Sequence, residues 1–289
     1  MRSPEGTSPS HRDLYKTPPL VYKASSPEPS PMLRDIYRYR DLVLALVARE
    51  LKVRYRRSAI GFLWTMLQPL LMMLVLQLVF SSIFKFKLGF GNYPVYALAG
   101  LLFWNFFSQS IVASMNSLRG NAPLLRKLPV PKEVFPLATV LSGVINLCFA
   151  LVPLLLILVV TRHPLTPALL FLPVSILLAG MFTLGAGLLL SPLSVFFSDV
   201  VEMIGVVLSI LMYMTPVIYP MSILEGSKYL PLVRFNPVRS ILEVFRDPIY
   251  QGEVPPLSHL TVCLGIALVS LAIGAFVFRR SSDRIPFYI

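Results

Sequence analysis

The chain is poor in charge. Asp, Glu, Lys and Arg make up 14% of its 289 residues against 55% hydrophobic, which is too sparse for an ordinary soluble domain. Charge is also missing in blocks: none occurs in 58–84, 88–118, 134–161, 163–198, 203–224 or 254–278. Buried helices of soluble proteins are usually shorter and keep a polar face. A bilayer core about 30 Å thick needs about 20 apolar residues in helical form, and every run is that long. The pattern predicts an all-α integral membrane protein with six transmembrane helices, at about 63–84, 94–118, 134–160, 168–196, 203–218 and 258–278.

Cysteine is scarce too. Cys148 and Cys263 both fall inside predicted spans, too few and too buried for a disulfide framework or a metal site. Every Asp, Glu, Lys and Arg lies outside the central parts of the spans, and His163 and His259 sit at their ends. An ion-coupled transporter usually needs an ionisable group within the membrane, so that class is disfavoured. No phosphate-binding GxxxxGK[ST] occurs, so the chain is not expected to bind and hydrolyse ATP. A membrane transferase or hydrolase needs a nucleophile, a base or metal ligands. The loop acids Glu225, Glu243 and Asp247 are spread without paired spacing, so no catalytic residue is assigned. Residues 1–32 are rich in Pro and Ser without an apolar core, and read as a flexible cytoplasmic tail rather than a signal peptide. Residues 33–289 form the transmembrane domain.

What charge there is has a pattern. With six crossings, 19 Lys and Arg fall on one side and 7 on the other, which places both termini in the cytoplasm. The net charge of +12 then faces anionic headgroups and cytoplasmic partners, not nucleic acid. Residues 36–57 predict a helix with Leu44, Val47, Ala48, Leu51 and Tyr55 along one stripe and Arg49, Lys52 and Arg56 opposite. That suits an amphipathic helix lying in the interface plane. In RELKVRYRRSAIGFLWTMLQPLL (49–71) it meets the first span, with the bend expected at 58–61 and Gly61 its most permissive residue. Trp64 is an interfacial anchor, and Pro69 should kink the span. Gly180, Gly185 and Gly187 read as close helix packing. TPVIYP (215–220) is incompatible with a straight helix. The following 221–257 leave room for a re-entrant external segment between helices 5 and 6, allowed only if protein covers its broken backbone. Within it, 240–250 predict a short amphipathic helix.

The remaining polar groups of the spans are neutral. Gln68, Gln77, Gln109, Asn116 and Asn146 suit either a polar solute or bonds between helices. Phe80, Phe84, Phe103, Trp104, Phe106, Phe107, Tyr213 and Tyr219 offer flat faces on which sugar rings dock, or else face lipid and core. A passage without its own energy source needs one from outside. Loop 119–133 is short and basic, and Leu124, Leu125 and Leu128 fit a short helix pressing into a partner's groove. The alternative is a basic loop held at the headgroups.

Several blocks in order resemble the type-2 ABC exporter permeases of polysaccharide export, which handle O-antigen, teichoic-acid and galactan-type polymers. They are residues 49–71, YALAGLLFWNFFSQSI (96–111), NAPLLRKLPVPKEVFPLATVL (121–141), SPLSVFFSDV (191–200), TPVIYP and FNPVRSILEVFRDPIYQG (235–252). The resemblance covers about 34–280. It departs where the family often carries Arg-Asp and this chain has Ser198 before Asp199. It implies two permease chains around a channel in the bacterial inner membrane, over two separate ATPase subunits that hold the ATP and magnesium. Those ATPases would touch Glu50 on the interfacial helix and Asn121, Leu124, Leu125, Arg126 and Lys127 in the loop. The cargo would be a lipid-linked polysaccharide, with Arg54, Arg56 and Arg57 in the zone associated with its pyrophosphate end. Plain headgroup anchoring is the other role for these arginines. A permease for drugs or lipids, a passive channel, or a transferase acting on lipid-linked sugars are the competing functions.

Overall fold

The computed structural model describes residues 38–56, 61, 63–79, 92–127, 130–224, 226–285 and 288. Among these residues all regular structure is helical. The principal helices are α1 (Arg40–Tyr55), α2 (Leu63–Leu78), α3 (Tyr93–Gly120), α4 (Ala122–Lys127), α5 (Val134–Val160), α6 (Leu172–Phe196), α7 (Val200–Met214), α8 (Leu230–Arg234), α9 (Pro237–Tyr250) and α10 (Leu257–Ser282). Four stretches are long and apolar enough to cross a membrane: α3, α5, α10, and α6 together with the short 3-10 turn before it. The charge-free runs therefore become helices close to where the sequence puts them. α2 and α7 are apolar but shorter. α7 has 15 residues, about 22 Å at 1.5 Å per residue, less than a hydrocarbon core. Its early stop has a local cause, described below. Pro69 and Pro153 lie inside α2 and α5, which run on through them.

α3 is the hub. It packs against α2, α5, α6, α7 and α9, and Val95, Ala97, Leu98, Ala99 and Phe103 are fully buried. α6 and α10 form the other close pair, at Gly185, where even a Cβ would overlap Ser270 of α10. Gly187 is likewise tight against Ser114, whereas Gly180 has room; two of the three glycines expected in packing are used that way.

α1 packs on α5 through an edge that differs from the expected stripe. Val43, Leu46 and Val47 are buried in a small second core with Leu118, Phe135 and Phe278. Leu44 is 63% exposed and Ala48 is exposed. The apolar surface of this helix is thus wide enough to serve two neighbours, one edge meeting protein and the adjacent edge left outward. Gly61 has φ +56°, a left-handed conformation that favours glycine, at the bend the sequence marks between α1 and α2.

TPVIYP ends α7 as its prolines require. A helix end leaves carbonyls without partners, and here side chains supply them. Asn236 Nδ2 donates to Thr215 Oγ1 at 2.9 Å and to the Met214 carbonyl at 3.3 Å. Arg246 donates to the Pro216 carbonyl at 2.8 Å. Tyr96 Oη donates to the Tyr219 carbonyl at 2.9 Å. The segment lies directly on α3, where Gly100 makes space: a Cβ there would sit 2.3 Å from the Val217 carbonyl oxygen. Asn236 also caps α9 by accepting from Val238 N. α9 is the amphipathic helix expected near 240–250, burying Ile241, Leu242, Val244 and Phe245 against α3, α6 and α10. Thr215 and Val217 at the break are buried, whereas Ile223, Tyr229, Leu232 and Phe235 in the segment that follows are exposed.

Candidate functional site

Two cavities flank α3, and Arg54 and Gln109 line both. The first, about 340 Å³, lies between α2, α3 and α5. Helical spacing builds its walls: Leu102, Asn105, Phe106, Gln109 and Ala113 recur on one face of α3, and Thr139, Gly143, Asn146 and Ala150 on one face of α5. α2 contributes Trp64, Gln68 and Pro69. Three of the five carboxamides read from the sequence, Gln68, Gln109 and Asn146, therefore meet at one place. Asn116 does not; it donates to the Val112 carbonyl one turn back. Asn105, which the sequence reading passed over, joins them, and its spacing of four from Gln109 was a usable signal. The second cavity, about 570 Å³, lies between α3 and α7 and is lined by Trp104, Ser108, Met212 and Tyr213.

The aromatic candidates separate. Phe103 and Phe107 are buried and stack on each other, with centroids 6.2 Å apart; Phe107 stacks on Phe182 at 5.6 Å. Their rings join α3 to α6 inside one chain. Trp104 is buried but borders the second cavity, and Tyr213 is 72% exposed beside it. Tyr219 donates its hydroxyl to the Tyr213 carbonyl at 2.7 Å. Phe106 borders the first cavity. Arg57, Phe80, Phe84, Leu128 and Glu225 lie outside the described residues, as does the Tyr55 side chain. Arg54 and Arg56 are both exposed at the end of α1.

The residues expected to meet an ATPase also divide. Arg126 and Lys127 are exposed on α4. Leu124 and Leu125 instead turn inward and pack on the second core. Asn121 is only 6% exposed and sits at a three-way junction. Its side chain accepts from Arg49 of α1 and donates to the Ser117 carbonyl at 2.7 Å, while its own carbonyl starts α4 by accepting from Leu124 and Leu125 at 3.0 Å. Glu50 accepts from Thr139 of α5 at 2.9 Å. Burial raises its pKa, opposed by that hydrogen bond and by Arg49 and Arg54. Lys132 donates to the Ser282 carbonyl at the end of α10, and burial lowers its pKa against the pull of Asp283 and Glu133. Asn121 and Glu50 thus hold α1 to the bundle from within. Of the loop acids, Glu243 is paired with Arg239 at 2.7 Å, and Asp247 accepts from Gln251 at 3.1 Å.

The sequence has relatives. It is 32% identical to the O-antigen export system permease protein RfbA of Myxococcus xanthus over 255 residues, covering 87% of this chain and 96% of that one. It is 25% identical to a protein of the same name from Klebsiella pneumoniae, covering 84% and 93%. It is also 25% identical to the polysialic acid transport protein KpsM of Escherichia coli, covering 83% and 93%. The ABC-2 type transporter family matches residues 41–250, from the first turn of α1 to the end of α9, and the chain belongs to that family.

Proposed function

We propose that the chain is the channel-forming subunit of an ATP-driven exporter of lipid-linked polysaccharide in the bacterial inner membrane. The observation that carries this reading is the near end-to-end match to permeases named for O-antigen and polysialic acid export. Those names favour a polysaccharide cargo over drugs or lipids. The lack of ionisable groups within the spans supports an external energy source. Two copies form the channel, and two separate ATPase subunits, which hold ATP and magnesium, sit beneath. The chain crosses six times with both termini cytoplasmic, and α9 is the re-entrant external element. Arg126 and Lys127 are the exposed face offered to the ATPase, while Asn121 and Glu50 carry its movement to α1. Arg54 and Arg56, with Arg57, receive the pyrophosphate end, since arginine matches phosphate geometry.

Two measurements test this. The chain purified alone is expected to hydrolyse no ATP and to co-purify with its ATPase when both are expressed; hydrolysis by the chain alone, or failure to associate, overturns the proposal. Neutralising Arg54, Arg56 and Arg57 together is expected to leave membrane insertion normal and abolish export. Failed insertion would instead make them headgroup anchors.

A further inference from the structure

Beyond α10 the chain stays packed on the protein. Phe278 near the end of α10 and Ile285 just past it are fully buried. Both lie in the second core with Val43, Leu46 and Val47 of α1, Leu118 of α3 and Phe135 of α5. Leu124 and Leu125 of α4 press on that same core. Tyr288 sets its ring edge-on against Phe196 at the end of α6, with centroids 5.1 Å apart.

A polar contact joins the same two places. Lys132, between α4 and α5, donates to the Ser282 carbonyl and, at 3.4 Å, to Ser282 Oγ. The last carbonyls of a helix lack partners within it and carry its negative end, so an ammonium is favoured there. Asp283 and Glu133 add to the attraction, which offsets the hydration that this half-buried side chain gives up.

What Lys132 holds is rigid. α10 packs chiefly on α6. A Cβ at Gly274 of α10 would fall 2.1 Å from the Gly185 carbonyl oxygen of α6, and Ser270 Oγ donates to the Phe182 carbonyl at 3.1 Å. Two helices in backbone contact with a hydrogen bond across them form one body. α4 is the opposite case: six residues, none of them buried. A displacement of so small an element reaches the bundle only through its ties, since coupling needs packed side chains, hydrogen bonds and rigid elements in continuous contact.

We infer that Lys132 is a positioning residue for transport: it makes the α4–α5 connection and the α6–α10 pair move together. A push received on α4 then reaches that pair through Lys132, as it reaches α1 through Asn121. The inference rests on the reading that an ATPase docks on α4, and gives that docking a second output.

The chain and its ATPase are reconstituted into sealed vesicles, and hydrolysis and export are measured together. Lys132→Met keeps the length of the side chain and removes its charge and donors. Hydrolysis should stay within about twofold of the native rate while export falls about tenfold, the scale of one link lost from a coupling network. Lys132→Arg, which can still donate to a helix end, should recover most of the export. Both rates falling in proportion would mark Lys132 as merely structural and overturn the inference, as would unchanged export. A distance decides independently. Spin labels are placed at Pro123→Cys and Arg284→Cys, both exposed positions, with Cys148→Ala and Cys263→Ala removing the native thiols. Their separation should be the same in the nucleotide-free and ATP-trapped complex while Lys132 is present, and should change with Lys132→Met. A change with Lys132 present, or none with Lys132→Met, overturns the inference and leaves the export reading standing. No ATP-driven export by the native complex overturns both.

Discussion

At the break between α7 and α9, the exposed backbone carbonyls have found donors: Asn236 serves Met214, Arg246 serves Pro216 and Tyr96 serves Tyr219. Along the cavity beside α2, Gln68, Asn105 and Gln109 make no hydrogen bond among the described residues, and Gln68 and Gln109 are exposed. Both regions place polar groups among apolar helices, where each unmet group costs free energy. In the first, the sequence breaks the helix and then repairs the break with side chains; the polar groups there hold the fold. In the second, the groups face the cavity and make no hydrogen bond among the described residues. A polar side chain in a membrane-length helix is thus informative about function when its partner is missing, and about architecture when its partner is present.

The contrast can be broken by substitution, and the largest effect on stability belongs to Arg246. It is 5% exposed, with its guanidinium carbon 3.9 Å from the centroid of the Tyr96 ring. Arg246→Ala removes that stacking and leaves the Pro216 carbonyl only the longer bond from Tyr96 Oη at 3.3 Å, costing about 3 kcal/mol by the usual scale for buried charged hydrogen bonds. Thermal denaturation of the purified chain should show it, with Arg246→Lys recovering part of the loss. Next comes Asn236→Ala, which removes the α9 cap and the bond to Thr215, at about 1–2 kcal/mol. The same denaturation series measures it, and an unchanged midpoint would mean the break is not held by this side chain.

Arg49→Ala should cost less, about 0.5–1 kcal/mol, because Arg49 is exposed and its bond to Asn121 is open to solvent on one side. Its main consequence is expected elsewhere. ATP hydrolysis by the assembled complex should persist while polysaccharide export falls, since the tie between α1 and the α3–α4 junction is cut. Export and hydrolysis falling in proportion would remove Arg49 from that role. The smallest stability change belongs to the cavity: Asn105→Leu and Gln109→Leu should stay within about 0.5 kcal/mol of the native chain, because no protein hydrogen bond is lost. If either variant destabilises the chain as much as Arg246→Ala does, the two regions are not different in kind.

Much of the architecture can be read from charge alone. The uncharged stretch from Val134 is bounded by Glu133 and Arg162, and α5 fills it almost completely. The two closely spaced prolines of TPVIYP announce the end of α7, because each removes a backbone donor that a continuing helix would use. Partner choice is harder to read. Val43, Leu46 and Val47 form as good a stripe as Leu44, Val47, Ala48 and Leu51, and only the presence of α5 decides between them. Phe103 and Phe107 look like channel candidates because α3 carries aromatics on every face; which face meets α6 is a tertiary fact. Arg246 could not be assigned a role from sequence, since its partner is a backbone carbonyl 30 residues earlier, and carbonyls have no residue signature. The cavity was partly legible: Gln68, Gln109 and Asn146 stand out as neutral polar groups in apolar runs, but their convergence depends on how α2, α3 and α5 pack.

The most direct test is vectorial transport. The chain and its ATPase are reconstituted into sealed vesicles with lipid-linked polysaccharide confined to the ATP-exposed leaflet, and the polymer reaching the opposite side is measured. An export channel predicts transfer that requires ATP and both proteins. Transfer without ATP, or none with ATP and both proteins present, would contradict it.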